Sequence, residues 1–95
     1  MVVGTLRLSL RLHGCRSLKE KRSPRRSIVD RVRGRFHVAI AEIEDQDVWN
    51  QLTLGIAAVG PDREPVERTL KEVADFVEGL GLGELISDRI EILRS

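Results

Sequence analysis

Leu6, Leu8, Leu10 and Leu12 alternate with Thr5, Arg7, Ser9 and Arg11. A period of two puts one set of side chains in a core and the other on the opposite face. Residues 2–12 therefore read as a strand with a basic outer face. His13-Gly14-Cys15-Arg16 breaks the pattern. Ser17 and Glu20 have capping-box spacing for a helix beginning at Leu18. Pro24 opposes a smooth helix there, because it lacks a donor and crowds the preceding turn. Ser23 as N-cap and Pro24 as first helical residue resolve the conflict. The pattern thus predicts a turn or short helical piece over 18–22 and a helix over 24–34. Ile28, Val29 and Val32 form its apolar stripe and Gly34 its stop.

Phe36 to Ile43 reads as a second strand, and Glu44-Asp45-Gln46-Asp47 as a turn or loop followed by Trp49. Leu52, Leu54, Ile56 and Ala58 mark the inner face of a third strand, with Thr53, Gly55 and Ala57 on its other face. Gly60-Pro61-Asp62 ends it, and Asp62 or a neighbour caps a second helix carrying Val66, Leu70, Val73, Phe76 and Val77 at helical spacing. A glycine-rich loop over 79–83 leads to a final strand over 85–93, with Ile86, Ile90 and Ile92 expected on its inner face.

The order βαββαβ, with right-handed crossovers, defines an α/β fold of the α+β sandwich type. We expect a ferredoxin-like four-stranded antiparallel sheet with the first and third strands central. Both helices lie on one face and the other face is bare. Residues 1–95 leave room for one domain.

Composition narrows the class. The chain is 41% hydrophobic and 33% charged, as in a folded soluble protein. No apolar run approaches the ~20 residues of a membrane helix, and the first residues lack signal-peptide anatomy. The single cysteine excludes an internal disulfide framework and fits a reducing compartment. The expected location is cytoplasmic.

Charge changes the picture most. Residues 1–38 hold eleven Lys/Arg against Glu20 and Asp30, a net of +9, whereas residues 39–95 hold five against thirteen acids, a net of −8. The formal total of +1 hides this split. The run from Arg16 to Arg35 admits two readings. It is a phosphate-contacting ridge, with Arg16, Lys19, Lys21, Arg22, Arg25 and Arg26 meeting RNA and Arg7 and Arg11 joining them if the bare sheet face takes part. Alternatively it is a solvated helix face paired with the acids of the second helix, Glu64, Glu67, Glu72, Asp75 and Glu78.

Other candidates are weaker. The central strands lack the aromatic residues on which RNA-recognition sheets stack bases, so backbone contacts should dominate any RNA binding. Glu42, Glu44, Asp45 and Asp47 lack the turn glycine and terminal acid of a calcium loop and read as a solvated loop. Trp49 reads as a core or subunit contact. His13 and Cys15 lie beside basic residues but lack a third catalytic member, and His37 reads as a strand residue without a chemical role. Gly79-x-Gly81-x-Gly83 has the helix-then-strand order opposite to a phosphate-binding fingerprint. No cofactor, metal site or catalytic constellation is expected.

Three stretches carry a family resemblance: Gly4-Thr-Leu-Arg-Leu-Ser-Leu, Arg16-Ser-Leu-Lys-Glu-Lys-Arg22, and Val38-Ala-Ile-Ala-Glu-Ile with Asp47-Val-Trp49 and Leu54-Gly-Ile-Ala57. The chain resembles the YlxP-like family, a bacterial domain family of unknown function. The resemblance spans nearly the whole chain and implies a ferredoxin-like fold. It also implies a gene neighbourhood shared with translation-initiation and ribosome-maturation factors. It implies no activity, cofactor or catalytic residues. Pro24, Arg25 and Cys15 depart from the family pattern. The expectation is a non-enzymatic accessory protein that binds structured or ribosomal RNA. The alternative is a module that self-associates through the open sheet face or an edge strand.

Overall fold

The even-numbered residues of the first strand, from Leu6 to Leu12, are all buried, and they form the floor on which both helices rest. The computed structural model describes all 95 residues. Its elements are β1 (Val2–Leu12), α1 (Leu18–Arg35), β2 (Ala39–Glu44), β3 (Gln51–Gly60), α2 (Arg63–Gly79) and β4 (Gly83–Arg94). The sheet order is β2-β3-β1-β4, with every neighbouring pair antiparallel. This is the expected ferredoxin-like arrangement, with β1 and β3 central.

One apolar cluster holds the layers together. Leu6, Leu8 and Leu10 of β1 and Leu52, Leu54 and Ile56 of β3 meet Ile28 and Val32 of α1 and Val66, Leu70, Val73 and Val77 of α2. Each such side chain contributes about 1.5–3 kcal/mol on burial. Gly4 is the point of closest approach between sheet and α2. A Cβ there would lie 2.6 Å from Val66 Cγ1 and 2.7 Å from Leu70 Cδ1.

The first helix differs from the sequence expectation. It runs unbroken from Leu18 to Arg35 with Pro24 inside it. Ser17, not Ser23, is the N-cap: its Oγ accepts from the Glu20 amide at 3.1 Å, and the Arg16 amide donates to Glu20 Oε2 at 2.6 Å. Pro24 removes only the bond to the Glu20 carbonyl, and Glu20 is exposed, so water can take that bond. Ile28 and Val32 then pin the following turns to the sheet. Gly34 is a helical residue rather than a stop; the helix ends where Phe36 turns extended, its amide still bonded to the Val32 carbonyl.

Two strands differ as well. β2 begins at Ala39, so Phe36 and His37 belong to the link from α1, where Phe36 packs edge-on against Phe76 with ring centroids 5.6 Å apart. In β4 the register shifts opposite Ser9 and Leu10, which pair with Ser87 and Leu85 and leave Ile86 as the extra residue. The bulge puts Leu85, Ile90 and Ile92 against the core and leaves Ile86 exposed, against its expected inward position.

Candidate functional site

The basic residues of α1 divide by helical phase. Lys21 lies on the inner phase, facing the β2–β3 hairpin, and is only 1% exposed. Its ammonium donates to the carbonyls of Asp45 at 2.8 Å and Val48 at 2.9 Å, and sits 2.7 Å from Glu42 Oε2. That last contact is ionic and lacks hydrogen-bond alignment, so Glu42 Oε2 has no hydrogen-bond partner. One turn on, Arg25 reaches Glu42 Oε1 at 3.3 Å. Arg33 donates to the Ile40 carbonyl, and the Arg35 guanidinium lies 5.1 Å from the Phe76 ring centroid and 5.8 Å from that of Phe36.

Lys21 therefore departs from its expected role: a buried ammonium with these partners has nothing to offer a phosphate. Glu42 departs too. It is not part of a solvated acidic loop, because it faces inward from β2 in phase with Ile40. Asp45, at a φ of 60°, likewise serves the hairpin. Its Oδ2 accepts from Thr53 Oγ1 at 2.6 Å and from Gln51 Nε2 at 3.1 Å. Thr53 spends its one hydrogen on Asp45, so the 3.0 Å contact with Ser9 has Ser9 as donor.

The outer phase of α1 is another matter. Lys19, Arg22 and Arg26 lie on one stripe with Ser23, Ser27 and Asp30 around a common surface depression. Seven helical steps carry the stripe from Lys19 to Arg26, about 10 Å along the axis. All three side chains are exposed, as are Arg16 beside the N-cap and Arg31 on the flank. None of these five takes part in any of the chain's ion pairs.

The acids of α2 do not neutralise the stripe. Arg63 and Lys71 pair with Glu67 at 3.4 and 3.2 Å, and Arg68 pairs with Glu64 at 3.4 Å, all within α2 itself. Hydrogen bonds from Lys71 and then Arg63 hold the Glu67 carboxyl below its ordinary range. The three cations of α2 are thus taken up by Glu64 and Glu67, and its other acids, Glu72, Asp75 and Glu78, pair with nothing on α1.

Arg7 and Arg11 project from the opposite side of the sheet, so the fold does not bring them to the ridge. Arg7 pairs with Glu44, and Arg11 stands opposite Glu84 in the β1–β4 register. Cys15 is buried, and desolvation and the Glu20 carboxylate raise its thiol above the ordinary value, with Lys21 opposing. A thiol kept protonated is a poor nucleophile. Trp49 is 43% exposed on the β2–β3 connection, so it is not a core residue. The one sequence signal for the Lys21–Glu42 bridge was the phase shared by Ile40 and Glu42, which sends an acid inward beneath a basic helix.

The architecture and its surface define a small α+β domain with a ferredoxin-like sheet and one highly basic helix face. Residues 3–90 match a family described as "Protein of unknown function (DUF503)", and the chain belongs to that family. It is also 44% identical over 62 residues to the uncharacterized protein YlxP of Bacillus subtilis (strain 168), a match covering 65% of this chain and 67% of the relative. No helix is long and apolar enough to cross a membrane.

Proposed function

We propose that this domain is a non-enzymatic RNA-binding accessory protein whose contact surface is the outer face of α1. One observation carries the reading: Lys19, Arg22 and Arg26 share an exposed stripe that no acid of the chain pairs with, although α2 beside it is rich in acids. Unpaired guanidinium groups offer bidentate donors to phosphate oxygens. Arg16 and Arg31 extend the positive field to either side. The resemblance to a family encoded near ribosome-maturation factors makes ribosomal RNA the first target to examine, an association rather than a mechanism. The contacts are to phosphate, so sequence preference should be slight.

The test is binding of the nuclease-treated protein to ribosomal RNA across a salt series. Five phosphate contacts, from Lys19, Arg22, Arg26, Arg16 and Arg31, give a log–log slope of about −3.5 to −4.5. Micromolar or tighter binding with that slope, abolished by combining Lys19→Glu, Arg22→Glu and Arg26→Glu, supports the reading. No binding at low salt, or equal binding by the reversed variant, refutes it.

A further inference from the structure

The sheet face away from the helices carries a shallow depression of about 480 Å3, floored by Ala39, Ala41, Gly55 and Ala57 and bounded by Arg89 and Glu91. Ile43 lines it, and Val59 and Leu93, both opposite Val3 in the register, extend the exposed apolar surface of this face. This face is apolar over Ala39, Ala41, Ile43 and Ala57 and charged along β4, with the Arg7–Glu44 pair at one end of the apolar part. Its charges are of both signs: Arg7, Arg11 and Arg89 stand against Glu44, Glu84, Glu91 and the Asp45 carboxylate held by Thr53, with Arg7 bonded to Glu44 and Arg89 to Glu91. A polyanion finds no net attraction here. A surface with interleaved charges of both signs and an apolar floor of small residues and Ile43 suits a copy of itself.

We propose that two copies of this chain stack through this face about a two-fold axis running across the strands. The strand register fixes where the axis falls. Thr5 pairs with Ala57 and Glu91, Arg7 pairs with Gly55 and Arg89, and Ala39 and Ala41 pair with Ala57 and Gly55. The level midway between those rows, that of Leu6, Ile40, Ile56 and Ile90, crosses the centre of the depression. An axis there sets Ala39 over Ala41 of the second copy, and Ala57 over the Ile43 side chain that covers the second copy's Gly55. It also sets Arg89 over Glu91 of the second copy, and Glu91 over its Arg89. The two ion pairs then merge into a ring of four alternating charges, and the apolar halves lie on one another. An axis along the strands instead puts Ala39 and Ala41 of β2 on the charged Arg89 and Glu91 of β4.

The size is that of a modest dimer. Four strands spaced ~4.8 Å apart and about eight residues long cover roughly 500 Å2 per copy, or about 1,000 Å2 in all, the lower bound for a specific interface. A weak, concentration-dependent dimer is therefore expected.

Sedimentation velocity from about 5 to 500 μM at ~50 mM salt, a range in which exposed charges are weakly screened, tests this. The wild-type mass should double across the series. Ala41→Glu and Arg89→Glu should each weaken the dimer at least about tenfold, a shift of one decade per 1.4 kcal/mol. Both positions are exposed, and unchanged circular dichroism checks that the variants fold. Combining Arg89→Glu with Glu91→Arg restores the alternating ring and should restore the dimer. A monomer at every concentration overturns the proposal. So does a dimer indifferent to the single substitutions, or a swap that fails to recover association.

Discussion

Lys21 Nζ lies 2.7 Å from Glu42 Oε2, the one ion pair of this chain whose two side chains are both largely buried. The pair ties the N-terminal half of α1 to the edge strand β2, while the other Lys21 donors hold the carbonyls of the β2–β3 connection. Removing one partner of a buried pair strands the other, and costs about 3–5 kcal/mol. Lys21→Met should lose about that much in chemical denaturation, toward the lower figure because Arg25 still faces Glu42. Combining it with Glu42→Leu removes the stranded charge and should recover part of the loss, the two bonds to the Asp45 and Val48 carbonyls staying broken. Trp49 should also become more accessible to acrylamide in Lys21→Met, since its loop is no longer held.

The outer stripe should behave in the opposite way. Exposed, unpaired cations contribute little to stability, so reversing Lys19, Arg22 and Arg26 should leave thermal unfolding within about 1 kcal/mol of wild type. Single reversals should each flatten the salt dependence of RNA binding by roughly 0.7–0.9 in log–log slope. A Tm fall of more than about 8 °C in the triple variant contradicts a surface role.

Two glycines should respond with opposite signs to alanine. At Gly4 the new methyl group collides with Val66 and Leu70 in the core, and overpacking costs about 1–3 kcal/mol. At Gly34 nothing lies within 4 Å of the new Cβ, and the residue is helical. Alanine there should stabilise by about 0.5–1 kcal/mol. Thermal unfolding of the two variants measures both effects.

Cys15 should be slow toward thiol reagents in the folded state and fast in urea. Burial raises its thiol above the ordinary 9.0. The unfolded cysteine therefore loses its proton first as pH rises. Above the unfolded value the native state binds more protons, so stability falls with increasing pH until the raised native value is passed. Cys15→Ala should remove that part of the alkaline slope in unfolding measured across pH 8–11.

The strand alternation in β1 and β3 and the stripe of α2 were legible because each has one buried face and repeats over several turns or residues. What misled was local chemistry whose outcome depends on the neighbours. Pro24 argues for a helix start only if the carbonyl it strands cannot reach water, and exposed Glu20 lets it. Ile86 follows the apolar phase of Ile90 and Ile92, but the bulge against Ser9 and Leu10 turns it outward. The basic run was visible, yet its division into Lys21 inside and Lys19, Arg22 and Arg26 outside required the position of the hairpin. Helical periodicity separates the faces; it does not say which face meets β2.

The Lys21 ammonium grips the β2–β3 connection by two main-chain oxygens, those of Asp45 and Val48, while the side chains of Gln46, Asp47, Val48 and Trp49 point into solvent. A clasp that recognises backbone is indifferent to what the backbone carries. The tip of this hairpin can therefore exchange its side chains wholesale and keep its shape, a fixed frame in which new contact residues can be mounted without disturbing the fold beneath.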